Sequence, residues 1–235
     1  MHEKYKSLFS LDPEVTYLNH GSFGACPKVI FDNLVSFQKK LEFEPVNFLD
    51  NHLYQYLKES RSALSNYINC ERDDIAFFPN PSTALNTLIR SLDLESGDQI
   101  LTTNHEYGAL DRTWNFISKK RGCKYIKLDI EIPFTDKQKF IDSFKSAINS
   151  NTKVIFLSHI TSATALIFPV KEIIDLAKQK NILTIIDGAH VPAHIDLDIK
   201  KLDPDFYCGA CHKWMCSPKG VAFLYVKKEY QNLIE

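Results

Sequence analysis

No run of 18 uncharged apolar residues occurs in this 235-residue sequence, so no segment reads as a membrane-spanning helix. The first ten residues, MHEKYKSLFS, lack the uninterrupted apolar stretch of an export signal. Neither sign of charge dominates: 28 Lys and Arg stand against 29 Asp and Glu, a net charge of −1. So balanced a chain has no global electrostatic footprint for an acidic partner, and neither nucleic acid nor membrane is expected to bind it. Internal repeats, low-complexity tracts and linkers are missing too. One compact domain over 1–235 is therefore the simplest organisation, with 1–72 as its N-terminal loop and helical segment. Six cysteines in a chain without an export signal read as reduced thiols, and the cytoplasm is the expected compartment.

Glycine is scarce, with only eight residues, so its placement carries information. Gly21, Gly24, Gly108, Gly188, Gly209 and Gly220 sit in short polar segments rich in His, Asp and Lys. Glycine permits close backbone approach and positive φ, so these segments read either as loops built around a ligand or as ordinary turns.

With 44% hydrophobic and 12% aromatic residues the chain has ample material for a core. Seven short β-rich runs stand out: DIAFF (74–78), QILTT (99–103), KYIKL (124–128), KVIFLS (153–158), ILTIID (182–187), DFYC (205–208) and VAFLYV (221–226). Helical patterns begin after Pro27 and cover about 48–69, 82–92, 106–121, 136–149 and 169–180. This alternation predicts an α/β fold: a mostly parallel seven-stranded sheet with helices on both faces. Only GACHKWMCSPKG (209–220) joins the last two runs, at the lower limit for a parallel crossover, so the seventh strand is expected to be antiparallel.

Ligands of open α/β sheets bind beyond the carboxyl ends of the strands, and the residues there form a coherent set. After the first strand, Ser82 and Thr83 open a helix whose free N–H groups and dipole suit a phosphate, although both residues are also ordinary helix caps. After the second comes His105, a ring able to stack on an aromatic ligand or handle a proton. Asp187 ends the fifth strand, where a carboxylate is often just a turn former. Lys213 follows the sixth strand beside His212, placed to be desolvated into an amine nucleophile, whereas most lysines are solvated. Their conjunction at one sheet edge shifts the balance. A phosphate site, a stacking ring, an acid and a lysine are what pyridoxal 5′-phosphate requires of its protein.

At these residues the sequence resembles the class V aminotransferases, fold-type I pyridoxal phosphate enzymes, and most closely their isopenicillin N epimerase-like branch. The resemblance runs the length of the chain through YLNHGSFGACP (17–27), NPSTALN (80–86), NHEYGAL (104–110), SHITSATALIFPV (158–170), IIDGAHVPAH (185–194) and GACHKWMCSPKG (209–220). It implies that Lys213 is the Schiff-base lysine, Asp187 the partner of the pyridine nitrogen, and His105 the ring stacked on the cofactor. His190 matches the contact to the phenolic oxygen, and Ser82, Thr83 and His212 match phosphate-binding positions. Asn19, His20, Gly21 and Ser22 match the loop bordering the substrate. No metal is implied. The implied partners are a small amino-acid-type substrate and a second copy in a homodimer. Lys219, in the turn before the last strand, is the nearest rival to Lys213 and is expected to be solvated.

Three departures bear on activity. Ala210 stands where related desulfurases carry Ser, and Ser162 where they carry Asn after the fourth strand. The chain reaches Glu235 without matching the family's smaller C-terminal domain, its carboxylate-clamping arginine or the desulfurases' nucleophilic cysteine. The expected activity is chemistry at the α-carbon of an amino acid or derivative. Alternatives are a carbon–sulfur lyase or desulfurase-like enzyme, and a cofactor-fold protein without turnover. Cys208, Cys211 and His212 also spell the haem-attachment pattern C-x-x-C-H, with Cys216 as a further possible metal ligand, but no export signal or fourth ligand accompanies them.

Overall fold

The computed structural model describes residues 2–234. Seven strands form one sheet: β1 (Ile75–Phe78), β2 (Gln99–Thr103), β3 (Lys124–Leu128), β4 (Thr152–Ser158), β5 (Leu183–Gly188), β6 (Phe206–Ala210) and β7 (Ala222–Val226). Their spatial order is β1-β7-β6-β5-β4-β2-β3. Strands β2 to β6 run parallel, while β7 is antiparallel to both β6 and β1. The short β6–β7 connection turns the chain back because it has no room for a covering helix.

Among the described residues nine α-helical segments accompany the sheet: α1 (His2–Lys6), α2 (Lys28–Phe43), α3 (Pro45–Asn47), α4 (Leu53–Ile68), α5 (Pro81–Ser91), α6 (Gly108–Arg121), α7 (Lys137–Ala147), α8 (Val170–Lys178) and α9 (Ile199–Leu202). Side chains alternate across the strands and sort the core into two layers. Val154 and Phe156 of β4, with Ile185, Phe206 and Leu224, pack against Leu85, Leu88 and Ile89 of α5 and Leu110, Trp114 and Ile117 of α6. Ile155 and Leu157, with Ile186, Tyr207 and Phe223, face Ile68, Phe140, Phe144, Ile173 and Ile174 of α4, α7 and α8. Both faces of the central strands are thus covered, as their unbroken apolar runs require. The edge strand β3 is largely exposed and carries Lys124 and Lys127, charges that discourage pairing with another chain.

Two helical expectations are corrected. The pattern over 48–69 divides into a π-helical turn, Phe48–His52, and then α4. The helix expected from 106 begins at Gly108, leaving His105, Glu106 and Tyr107 in the turn at the β2 end. The layers also locate the ligand crevice. β2 leads to β3 through α6 on one face, whereas β4 leads to β5 through α8 on the other. A gap opens beyond the carboxyl ends of β2 and β4, where successive connections part.

Candidate active site

A cavity of about 460 Å³ lies at this gap, and residues that follow five strands line it. Asp187 forms its floor. It precedes Gly188, the last residue of β5, where a Cβ would come within 2.1 Å of the Tyr207 hydroxyl, so only glycine lets the chain pass. The carboxylate is 5% exposed, and its Oδ1 accepts the Ala189 N–H at 3.0 Å. Oδ2 has no hydrogen-bond partner among the described residues. Burial pushes the carboxyl up, and Lys213 opposes that by favouring its charge.

Lys213 enters from the β6–β7 connection, with Nζ 3.1 Å from His190 Nε2. Burial lowers the lysine below its ordinary value, partly offset by Asp187. Burial, with the adjacent lysine charge, lowers His190 to about 4. The imidazole is therefore neutral near neutral pH, with Nε2 free to accept from the amine. His212, also lining the cavity, donates its Nδ1–H to the Val221 carbonyl at 2.9 Å, which leaves Nε2 for a ligand.

On the opposite wall α5 presents its N-terminus. Asn80 caps it, accepting the Thr83 N–H at 2.8 Å and the Thr83 hydroxyl at 3.1 Å. Asn80 and Ser82 line the cavity, whereas Thr83 is exposed with both donors committed to the cap. Thr83 is not among the lining residues, and the cap residue Asn80 borders the cavity beside Ser82.

The glycine loop closes the mouth. Gly21, Ser22 and Phe23 line the cavity, while Asn19 and His20 stand behind them. Asn19 Oδ1 accepts the Ser22 N–H, His20 Nδ1 accepts the Ala25 N–H, and the His20 ring stacks on Trp214 at 6.2 Å. The Gly24 N–H donates to the His212 carbonyl at 2.9 Å, and a Cβ on Gly24 would come within 2.0 Å of the Lys213 carbonyl. Exposed Lys219 donates to the Gly24 carbonyl at 2.5 Å, so it pins this loop and does not rival Lys213.

His105 also departs from expectation. Its Nε2–H donates to the Ile130 carbonyl at 2.8 Å, Thr164 bonds Nδ1, and the ring packs edge-on against Phe168. It is not among the lining residues; Tyr107 is, immediately before α6. Tyr107 borders the cavity at 47% exposure, whereas the His105 ring is partly buried behind it. Ser162 lines the cavity in the loop after β4, as expected. Sequence reasoning missed Tyr107, Asn80 and buried Glu106; the signals were the His-Glu-Tyr triplet and the Asn-Pro helix start. Cys208 is buried on β6 with its thiol against the Pro81 carbonyl, a position closed to haem attachment.

The residues fit the expected group. The Asp187 carboxylate, with one oxygen free of protein donors among the described residues and facing the cavity, suits a protonated ring nitrogen, Lys213 supplies a desolvated amine, and the α5 N-terminus with Ser82 and His212 suits a phosphate. Fold and cavity together define the large domain of a fold-type I pyridoxal phosphate enzyme. The family model for Aminotransferase class-V matches residues 25–235, and the chain belongs to that family. The cofactor is pyridoxal 5′-phosphate.

Among its relatives, isopenicillin N epimerase of Streptomyces clavuligerus is 32% identical over 95% of the chain and 56% of its own length. An L-cysteine desulfhydrase-like protein of Epichloe uncinata is 28% identical over 96% of the chain and 50% of its own length. The chain therefore spans little more than half the length of these relatives. A solved complex of the cystine C–S lyase C-DES with its product cysteine persulfide superposes with a TM-score of 0.87, at 25% identity, over 95% of this chain and 60% of that one.

Proposed function

We propose that this chain is a pyridoxal phosphate enzyme acting at the α-carbon of an amino acid or amino-acid-derived substrate, in the manner of the isopenicillin N epimerases. The observation that carries the proposal is the convergence of Lys213, His190 and Asp187 in one cavity, with the amine 3.1 Å from the neutral imidazole. Bound pyridoxal phosphate supplies a carbonyl that joins an amine and a ring that withdraws electrons from the neighbouring carbon. Lys213 Nζ would hold that carbonyl and is the group placed to move a substrate's α-proton as a base, since its burial lowers its proton affinity. Asp187 would stabilise a protonated ring nitrogen, and His190, 3.1 Å from Nζ, would meet the ring oxygen. Asn80, Ser82 and His212 would receive the phosphate, Tyr107 would stack on the ring, and Ser162 would border it. Gly21 and Ser22 face the substrate. The six unpaired cysteines accord with a reducing compartment, the cytoplasm in this proposal.

Carbon–sulfur cleavage is the second reading, supported by the desulfhydrase-like relatives and the fold's likeness to a cystine C–S lyase. Epimerisation, transamination and cleavage all begin with loss of the α-proton and part afterwards. Loss of α-deuterium, keto-acid formation and sulfide release, measured across an amino-acid panel, separate the three.

Borohydride treatment followed by peptide mapping tests the shared step. The cofactor is expected on Lys213, and Lys213→Ala is expected to abolish its covalent capture. Capture on Lys219, or undiminished capture by the Lys213→Ala variant, would sink the assignment.

A further inference from the structure

Glu106 is a buried acidic side chain that the proposed chemistry does not use. Only 9% exposed, it lies in the turn after β2. Its Oε1 accepts the Thr103 hydroxyl at 2.6 Å, and its Oε2 accepts both the Ser158 N–H at 2.9 Å and the Ser158 hydroxyl at 2.5 Å. Backbone pairing between β2 and β4 ends at Leu101 and Ile155, so this carboxyl continues the join where the ladder stops. Ser158 ends β4, stands in register with Asp187 on β5, and lines the cavity. Glu106 is thus one residue removed from the acid that meets the ring nitrogen.

A glutamine would keep the Ser158 contacts but would not accept from the Thr103 hydroxyl. Its carbonyl would accept both Ser158 donors, and its amide would donate to Thr103 Oγ1, which already accepts the His105 N–H. The carboxyl also adds an exchangeable proton. Burial, the largest influence, raises Glu106 to about 7, against the lowering effect of its hydrogen bonds, and Asp187 raises it further. The groups facing it are Thr103 from β2, Tyr125 from β3, Ser158 from β4 and Asp187 from β5. Lys213 is the cation facing Asp187. The Asp187 charge therefore opposes ionisation of Glu106.

We propose that Glu106 is a positioning residue for Asp187: it holds Ser158, the β4 neighbour of Asp187, at the sheet edge, and in its ionised form strengthens the hold of that edge on a protonated ring nitrogen. The proposal rests on the cofactor reading of Asp187. Ionised Glu106 adds attraction for a protonated ring nitrogen, so cofactor binding and Glu106 ionisation reinforce each other.

The test is a spectroscopic titration of the full chain with pyridoxal phosphate from pH 6 to pH 8. Glu106→Gln is expected to bind severalfold more weakly than wild type at the upper pH and almost equally at the lower. In the Asp187→Asn background that pH-dependent difference is expected to vanish. Thr103→Val removes one hydrogen bond to the ionised form, so the wild-type midpoint is expected to move upward by about half a pH unit or more. It keeps the question open to test should the glutamine variant not fold. Parallel profiles for wild type and Glu106→Gln, an unmoved midpoint in Thr103→Val, or a Glu106→Gln effect that persists in Asp187→Asn would overturn the proposal. Failure of borohydride to fix cofactor on wild-type Lys213 would instead overturn the reading beneath it.

In apo protein the same proton has a separate signature. The folded carboxyl titrates above its unfolded value of about 4.3, so folding binds a proton between the two values. Wild-type stability therefore falls relative to Glu106→Gln as pH rises from about 4.5 to 7. Thermal melts of the two apo chains are expected to diverge by several degrees over that window. Melts that track each other would remove the ionisation from the proposal.

Discussion

The turn after β2 sets three consecutive side chains to different tasks, and their burial separates them. His105 is used up by the Ile130 carbonyl and Thr164, Glu106 by the strand ends, and Tyr107 is left facing the cavity. Replacing Tyr107 by Ala is therefore expected to weaken pyridoxal phosphate binding by about 0.5–1.5 kcal/mol, the worth of an aromatic pair beyond its buried area. That is about twofold to tenfold in Kd. His105→Gln is expected to lower the melting temperature while leaving cofactor affinity near wild type. Absorbance titrations of the two variants decide between them, and a larger affinity loss in His105→Gln would return the stacking role to the histidine. The sequence singled out the His105 ring at this strand end and passed over Tyr107. Which ring borders the cavity depends on the path of the turn before α6, which periodicity does not give. Asp187 was legible because it ends a long apolar run, and Lys213 because the GACHKWMCSPKG segment after the sixth run carries the family resemblance.

Among the elements, α5 links fold and site most directly. Its N-terminus faces the cavity, while Leu85, Leu88 and Ile89 lock its other side into the core. Asn80 is the cap, and its loss would free the Thr83 N–H and loosen the first turn. Asn80→Ala is expected to cost about 1 kcal/mol of stability, or about 2–4 °C in melting temperature for a chain of this size. A phosphate-binding turn that frays also binds less well, so cofactor affinity should fall with it. Unchanged melting and unchanged affinity together would show that the cap does not matter. The central strands were readable because both faces of β4, β5 and β6 are buried, so apolar residues run unbroken. The connection from α2 to α4 was not, since a π-helical turn keeps helical composition and changes only the hydrogen-bond spacing. The glycine loop showed its purpose only through its neighbours: Gly24 is required by the Lys213 carbonyl, nearly two hundred residues away in sequence.

For the whole molecule, the distribution of apolar surface is uneven. Helix α2 buries no residue, and around it Leu18, Phe23, Val29, Phe43 and Val46 are exposed by 79%, 68%, 71%, 91% and 72%. So dense a set exceeds the scattered apolar residues normal on a monomer. Phe23 also lines the cavity mouth, so a partner covering this face would shape the substrate's entrance. We propose a symmetric homodimer through this face, and light scattering is expected to give about twice the 27.0 kDa chain mass. Phe43→Asp should shift it toward monomer, and a stable wild-type monomer would end the proposal. Substrate handling is a separate matter. None of the arginines at 61, 72, 90, 112 and 121 lines the cavity, and Arg121 is held by the Leu92 and Arg90 carbonyls. A substrate α-carboxylate therefore meets no guanidinium fork there, the geometry that binds carboxylates best. The 235-residue chain should bind cofactor yet turn over free amino acids with kcat/KM below about 10⁴ M⁻¹s⁻¹, the low end for enzymes. Robust turnover would mean that another donor at this mouth holds the carboxylate, and Ser22 or Ser162 would be the first residues to replace.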